Sequence, residues 1–197
     1  NSGADVLVLN HYGGNMVNSL TNAVQFGLRD KVVNNKNFEI IVPLYSRLMA
    51  KGAGANVKGI FGSTNWHWSL QDEGSKAFVK SFGTKYGFPP SQAAHTVYCQ
   101  TLLYADACNR AGTFNPCGVG EALEGFEFDG LGNGKTLYRA DDHQCFKDVL
   151  VVKGKENPTS EFDLLEIVEV TPMEQVKYAP DHPMFAGGDL GACNPGA

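Results

Sequence analysis

Short apolar runs alternate with helix-spaced apolar positions through the first ninety residues. Asp5-Val6-Leu7-Val8-Leu9-Asn10 is nearly continuous in apolar side chains, the pattern of a parallel strand covered on both faces. After the loop His11-Tyr12-Gly13-Gly14, the positions Met16/Val17, Leu20, Ala23/Val24 and Gly27 recur at helical spacing. A second strand is predicted over Phe38 to Val42, broken at Pro43, and Ser46 is placed to cap a short helix that Gly52 ends. A third strand is predicted from Val57 to Gly62. Two strand-helix units leading into a third strand describe half of an open parallel sheet.

The chain then reads Phe61-Gly62-Ser63-Thr64-Asn65-Trp66-His67-Trp68, a strand leaving its sheet through two closely spaced tryptophans. Aromatic rings at such an exit commonly wall a small-molecule cleft, since a flat ring offers contact area at little entropic cost. The competing reading is that Trp66 and Trp68 seal a core. A helix over 72–86 follows, with Phe78, Phe82 and Tyr86 four residues apart. Pro89-Pro90 stops it, Ser91 caps the next helix, and Ala94, Tyr98, Leu102, Ala105 and Cys108 mark that helix's predicted inner face. A shorter helix is predicted near 118–123. From there the period changes to that of strands at Glu127-Phe128, Thr136 to Arg139, Phe146 to Val152 and Leu164 to Val170. The Pro- and Gly-containing tail beyond Thr171 is expected to wrap the surface.

Composition narrows the classes. At 197 residues with 43% hydrophobic and 19% charged side chains, the chain has material for one large domain or two small ones. A formal charge of -5 and the lack of a Lys/Arg run argue against nucleic acid as a partner. No apolar run reaches the roughly 18 residues of a membrane span. The opening Asn1-Ser2-Gly3-Ala4, without initiator Met or signal peptide, reads as a processed chain or a fragment. Five cysteines suggest an oxidising compartment. Cys108 and Cys117 bracket a loop short enough for a disulfide to close, Cys145 and Cys193 are a candidate second pair, and Cys99 is left over. Free buried cysteines in a reducing compartment are the alternative.

Several motifs point to chemistry that their context denies. Gly130-Leu131-Gly132-Asn133-Gly134-Lys135-Thr136 has Asp129 where a phosphate loop needs its first Gly, so a hairpin turn is predicted. Gly13-Gly14 lacks the dinucleotide spacing, and no cofactor is expected. In Asp141-Asp142-His143-Gln144-Cys145, side chains alternating across a strand cannot converge on one metal, and a structural turn is predicted. Cys99 with His143 and Asp142 can be drawn as a nucleophile triad, though a mid-helix Cys99 lacks an activating site.

Taken in order, these segments resemble the C-terminal half of the bacterial periplasmic solute-binding proteins of branched-chain amino acid type ABC transporters. The resemblance rests on Ser2-Gly3-Ala4-Asp5-Val6 with Ala23 to Leu28, and on Trp66 to Leu70 with Phe78, Phe82 and Tyr86 to Pro90. It also rests on Tyr98 to Ala107, on Phe162 to Val170, and on Cys193. Its most specific element is Tyr138-Arg139-Ala140-Asp141-Asp142-His143-Gln144, close to an Arg-x-x-Asp-His-Gln stretch of one branch that binds aromatic acids as well as amino acids. It implies an α/β three-layer sandwich with doubly wound parallel sheets, of the type I periplasmic binding protein kind and partial here.

The resemblance further implies that residues 1–65 belong to the distal lobe, 66–135 to the first lobe, and 136–197 to the return, hinge and tail. The missing N-terminal half of the same protein and a membrane permease would be partners. The ligand would be an amino acid or an aromatic or other carboxylate, captured without any bond being broken. Expected contacts are Asn10, His11, Tyr12 and Gly13 after the first strand, Tyr45 and Ser46 after the second, and Trp66 and Trp68 after the third. His11 is a candidate partner for a carboxylate, with a structural role as the alternative. A ligand-sensing receptor domain of the same fold and a doubly wound enzyme are the rival functions.

Overall fold

In a computed structural model the first strand β1 (Val6–Val8) runs into helix α1 (Gly13–Gln25), whose buried residues Met16, Leu20 and Ala23 form one stripe. A two-strand ribbon, β2 (Val32–Val33) and β3 (Lys36–Asn37), precedes β4 (Glu39–Val42) and α2 (Arg47–Ala53). Then come β5 (Phe61–Thr64), α3 (Glu73–Tyr86), α4 (Gln92–Ala111) and α5 (Pro116–Leu123). The final part holds β6 (Glu127–Phe128), β7 (Thr136–Tyr138), β8 (Cys145–Phe146), β9 (Val149–Gly154), β10 (Leu165–Thr171) and the single turn α6 (Met173–Val176). The structure describes residues 3–183 and 191–193. Ser2 and residues 184–190 of the tail expected to wrap the surface lie outside the described residues.

The main sheet has the order β1-β4-β5-β9-β10. Its first three strands are parallel neighbours, as the strand-helix alternation predicts, with Leu7 opposite Ile40 and Ile41 opposite Phe61. β9 and β10 complete it antiparallel. Ile40, Val42, Leu150, Val152 and Leu165 point to one face and meet Met16 and Leu20 of α1 and Met49, Ala50 and Ala53 of α2. These side chains are nearly inaccessible, and each contributes about 1.5–3 kcal/mol on leaving water. The opposite face carries Val6 and Val8, 43% and 48% exposed, so among the described residues β1 is covered on one face and not both.

Two boundaries and one helix face differ from the periodicity, and the strand expected over Phe146 to Val152 is broken at Lys147-Asp148 into β8 and β9. Gly54, at φ +56°, starts a 3-10 turn over Gly54–Val57, and Gly59 at φ +75° breaks the chain again, so the third strand begins at Phe61. Gly52 lies within α2, which extends to Ala53. In α4 the buried face is His95, Cys99, Leu103, Ala107 and Cys108, while Tyr98 and Leu102 are about 40% exposed. Ala94, Tyr98 and Leu102 repeat every four residues just as His95, Cys99 and Leu103 do, so the spacing did not choose between them. The polar His95 marks the buried one because its imidazole finds a partner there.

The cysteine pairing is corrected. Cys117 bonds Cys193, across 76 residues, which ties the tail to the first turn of α5. Cys108 is buried without a disulfide at the end of α4, packed with Ala107 and Val119, and Cys145 is also a free thiol. This packing puts Cys108 in the α4–α5 contact.

Candidate functional site

The carboxyl ends of β1, β4 and β5 lie side by side, so the loops after them share one edge of the sheet. This topology brings together all three groups of expected contacts, although their side chains are placed differently. Asn10, His11 and Tyr12 stand exposed at the rim, and the His11 Nδ1 lies 2.8 Å from the Ser19 hydroxyl. Gly13, at φ +58°, opens α1 and directs its N–H to the Met49 sulfur at 3.1 Å.

Tyr45, Ser46 and Trp66 sit inside instead. The Tyr45 ring is 1% exposed and packs on Gly62, where a Cβ would lie 2.6 Å from the ring and 2.3 Å from the Val42 carbonyl oxygen. Burial raises its phenol above the ordinary range. Ser46 caps α2, its hydroxyl accepting from the Met49 N–H at 3.2 Å. Trp66 is 1% exposed, stacks on His95 with ring centroids 4.3 Å apart, meets the edge of Phe78, and donates from Nε1 to the Ser75 hydroxyl at 2.9 Å. As placed here, these three side chains fill the walls of the site.

The two tryptophans diverge because β5 ends at Thr64, so strand alternation does not govern them. A turn follows, in which the Leu70 N–H reaches the His67 carbonyl and His67 Nδ1 accepts from the Ser69 N–H at 3.3 Å. The turn sends half-buried Trp68 into an apolar groove of about 380 Å³ with Val79, Phe88, Pro89 and Phe162. The guanidinium of buried Arg47 lies over both Phe88 and Phe162, 5.7 and 5.2 Å from their centroids. Burial, with the Lys155 cation nearby, pushes His67 down to about 4, so its ring is neutral at pH 7.

Sequence reasoning missed the polar knot beneath these loops. The chain leaves the main sheet at Asn65, returns at Asp148 and leaves again near Met173. Asn133 is buried at φ +59° and donates through Nδ2 to the carbonyls of both Asn65, at 2.7 Å, and Asp148, at 2.9 Å. The Asp148 carboxylate accepts from the Met173 N–H at 2.8 Å. One amide and one carboxylate therefore bind all three crossings. Asn133 also donates its backbone N–H to Asp72, the N-cap of α3. Burial alone would raise the Asp72 carboxyl, but hydrogen bonds from Ser75 and Asn133 hold it below its usual value. The available signal was Asn133 between Gly132 and Gly134, an Asn suited to positive φ, in the turn that joins β6 and β7.

The other polar motifs are structural. Asp142 forms a two-point ion pair with Arg139, and its carboxylate also accepts from the Gln144 N–H, making the turn. His143 faces Glu124 at 2.8 Å, while Cys99 faces His95, so Cys99, His143 and Asp142 share no triad. Among the described residues no group of three or more His, Cys, Asp or Glu side chains is disposed to hold a metal ion. Nor is any described helix long and apolar enough to cross a membrane.

Comparison with known proteins adds the following. Residues 1–159 match a family model described as periplasmic binding protein. No curated protein sequence matches the chain. A periplasmic binding protein from Burkholderia mallei superposes with a TM-score of 0.75 at 23% identity, over 90% of this chain and 46% of that one. A branched-chain amino acid ABC transporter periplasmic ligand-binding protein from Burkholderia xenovorans gives 0.71 at 25% identity, over 88% and 46%. A solute-binding protein from R. palustris in complex with benzoate gives 0.67 at 16% identity, over 85% and 43%. The chain thus spans less than half the length of these solved relatives.

Proposed function

This chain belongs to the periplasmic binding protein family, and from that premise we propose that it is part of an extracytoplasmic solute-binding subunit of an ABC importer. In this reading it is the C-terminal half, completed by a preceding half and delivering its solute to a membrane permease. The ligand is a small amino acid or an aromatic or other carboxylate; the similar B. xenovorans protein is named for a branched-chain amino acid transporter, and the R. palustris one was solved in complex with benzoate.

One observation supports the reading most: three adjacent parallel strands present the loops at 10–13, 44–46 and 65–68 on one sheet edge, above a knot that gathers every crossing. Open α/β sheets bind ligands at such an edge. The rim of Asn10, His11, Tyr12 and Gly13, together with Trp68 after the third strand, is the contact set. Tyr45, Ser46 and Trp66 hold those loops in place. Lobe closure pivots on the crossings at Asn65, Asp148 and Met173, and the solute stabilises the closed state through contacts made only there.

Calorimetric titration of the whole-gene product against aliphatic amino acids and against benzoates tests this. One panel should saturate a single site, and His11→Ala or Trp68→Ala should weaken binding about tenfold, the scale of one desolvated contact. Saturation by neither panel, or chemical turnover of a bound compound, would overturn the proposal.

A further inference from the structure

Two of the three free thiols border one cavity. Cys99 projects from α4 and Cys145 from β8, and both line a space of about 430 Å³ together with His95, Gln100 and Lys147. The two elements are latched at this point. Tyr138, the register partner of Cys145, donates its hydroxyl to Gln100, the residue after Cys99, at 2.9 Å. That bond holds the Cys145 end of β8 against the helical turn carrying Cys99.

The chemistry around the pair is asymmetric. Cys145 is an exposed residue, open to reagents, whereas Cys99 is buried. His95 Nε2 lies 2.7 Å from the Leu131 carbonyl oxygen, which only accepts, so Nε2 carries the ring proton and Nδ1 is bare. The Cys99 sulfur lies 3.4 Å from Nε2 and 3.8 Å from Nδ1. Burial pushes His95 down to about 4, so the ring is neutral at pH 7 and a weak base. Desolvation of the sulfur raises both thiols, that of Cys145 included although the residue has exposed surface, and the Lys147 ammonium works in the opposite direction on each.

We propose that Cys99 and Cys145 are a redox-active dithiol that closes across this cavity to an intramolecular disulfide when a disulfide oxidant is supplied. The Cys145 thiolate attacks one sulfur of the oxidant, whose S–S bond breaks and releases one thiol. Cys99 loses its proton to solvent and attacks the Cys145 sulfur, releasing the oxidant's second thiol. Two Sγ–H bonds are replaced by one Sγ–Sγ bond, and the two electrons and two protons leave on the reduced oxidant. The product staples α4 to the β6-β7-β8 sheet and divides the cavity. Nothing in this step depends on the identity of the solute.

The test incubates the folded chain with glutathione disulfide, counts reactive thiols and maps the peptides. The count should fall from three to one, with Cys99 joined to Cys145 and no glutathione retained. In Cys99→Ala the glutathione should stay on Cys145, and in Cys145→Ser Cys99 should remain a thiol. Cys108→Ala should leave the pairing intact. The cross-link should be lost as the favoured product when the same reaction is run in urea. Glutathione retained on Cys145 of the unmutated chain beside an alkylatable Cys99 would overturn the proposal. So would a bond from either residue to Cys108 or to a second molecule. The unmutated chain decides the matter even where a variant fails to fold.

Discussion

Replacing Trp66 should cost stability before it costs anything else. Its ring is 1% exposed, stacks on His95 at 4.3 Å, meets Phe78 edge-on at 5.8 Å and donates to Ser75 at 2.9 Å. Trp66→Ala removes all three contacts and leaves a void, a change worth about 3–5 kcal/mol. Trp66→Phe keeps most of the stacking area and loses the hydrogen bond, leaving the Ser75 hydroxyl short of a partner, for about 1–2 kcal/mol. Against a total stability of about 5–15 kcal/mol, and with about 2–4 °C of melting temperature per kcal/mol at this size, the Ala variant should melt roughly 10 °C lower. The Phe variant should fall by a few degrees. Urea unfolding followed by circular dichroism reads both, and a midpoint shift with an unchanged slope would mean that the native fold itself was weakened. An Ala variant melting within about 2 °C of its parent would refute the packing argument, because a ring with these contacts cannot be removed without loss.

Gly62→Ala should be poorly tolerated, since its Cβ would meet the Val42 carbonyl at 2.3 Å and the Tyr45 ring at 2.6 Å; soluble yield and urea midpoint should both drop. Cys117→Ser should lower stability by about 4 kcal/mol on the chain-entropy scale for a loop of this separation, measured as the difference between variant and parent under non-reducing conditions. Stability should also depend on acid. His67 and His95 both have folded values near 4, below the ordinary 6.5, so the unfolded chain binds the extra protons first. Their contribution is complete above pH 6.5, declines as pH falls towards 4, and levels off below it. At roughly 3 kcal/mol for each ring at most, His95→Gln should flatten the urea midpoint between those pH values.

Much of the frame was legible in local pattern. The apolar runs at Val6–Val8 and Glu39–Val42, the stripe of Met16, Leu20 and Ala23, and the caps Ser46 and Ser91 are set by neighbours within four residues. The turn at Asp141–Gln144 and the hairpin between β6 and β7 were equally local, the first recognised from strand alternation and the second from its glycines. Such features depend on backbone conformation and short-range hydrogen bonds, which a linear reading can evaluate.

What tertiary structure decided is what depends on direction and on distant partners. Cys117 pairs with Cys193, 76 residues away, rather than with the much nearer Cys108, because Cys108 is taken into a hydrophobic contact. Trp66 and Trp68 share a composition and a neighbourhood, yet a turn of three residues sends one ring into the core and the other into a groove. Asn133 is marked in the sequence only as a turn residue between two glycines. It gathers Asn65 and Asp148 because folding brings two carbonyls from remote strands within reach of one amide, and a buried amide is stable only where both of its N–H bonds are taken.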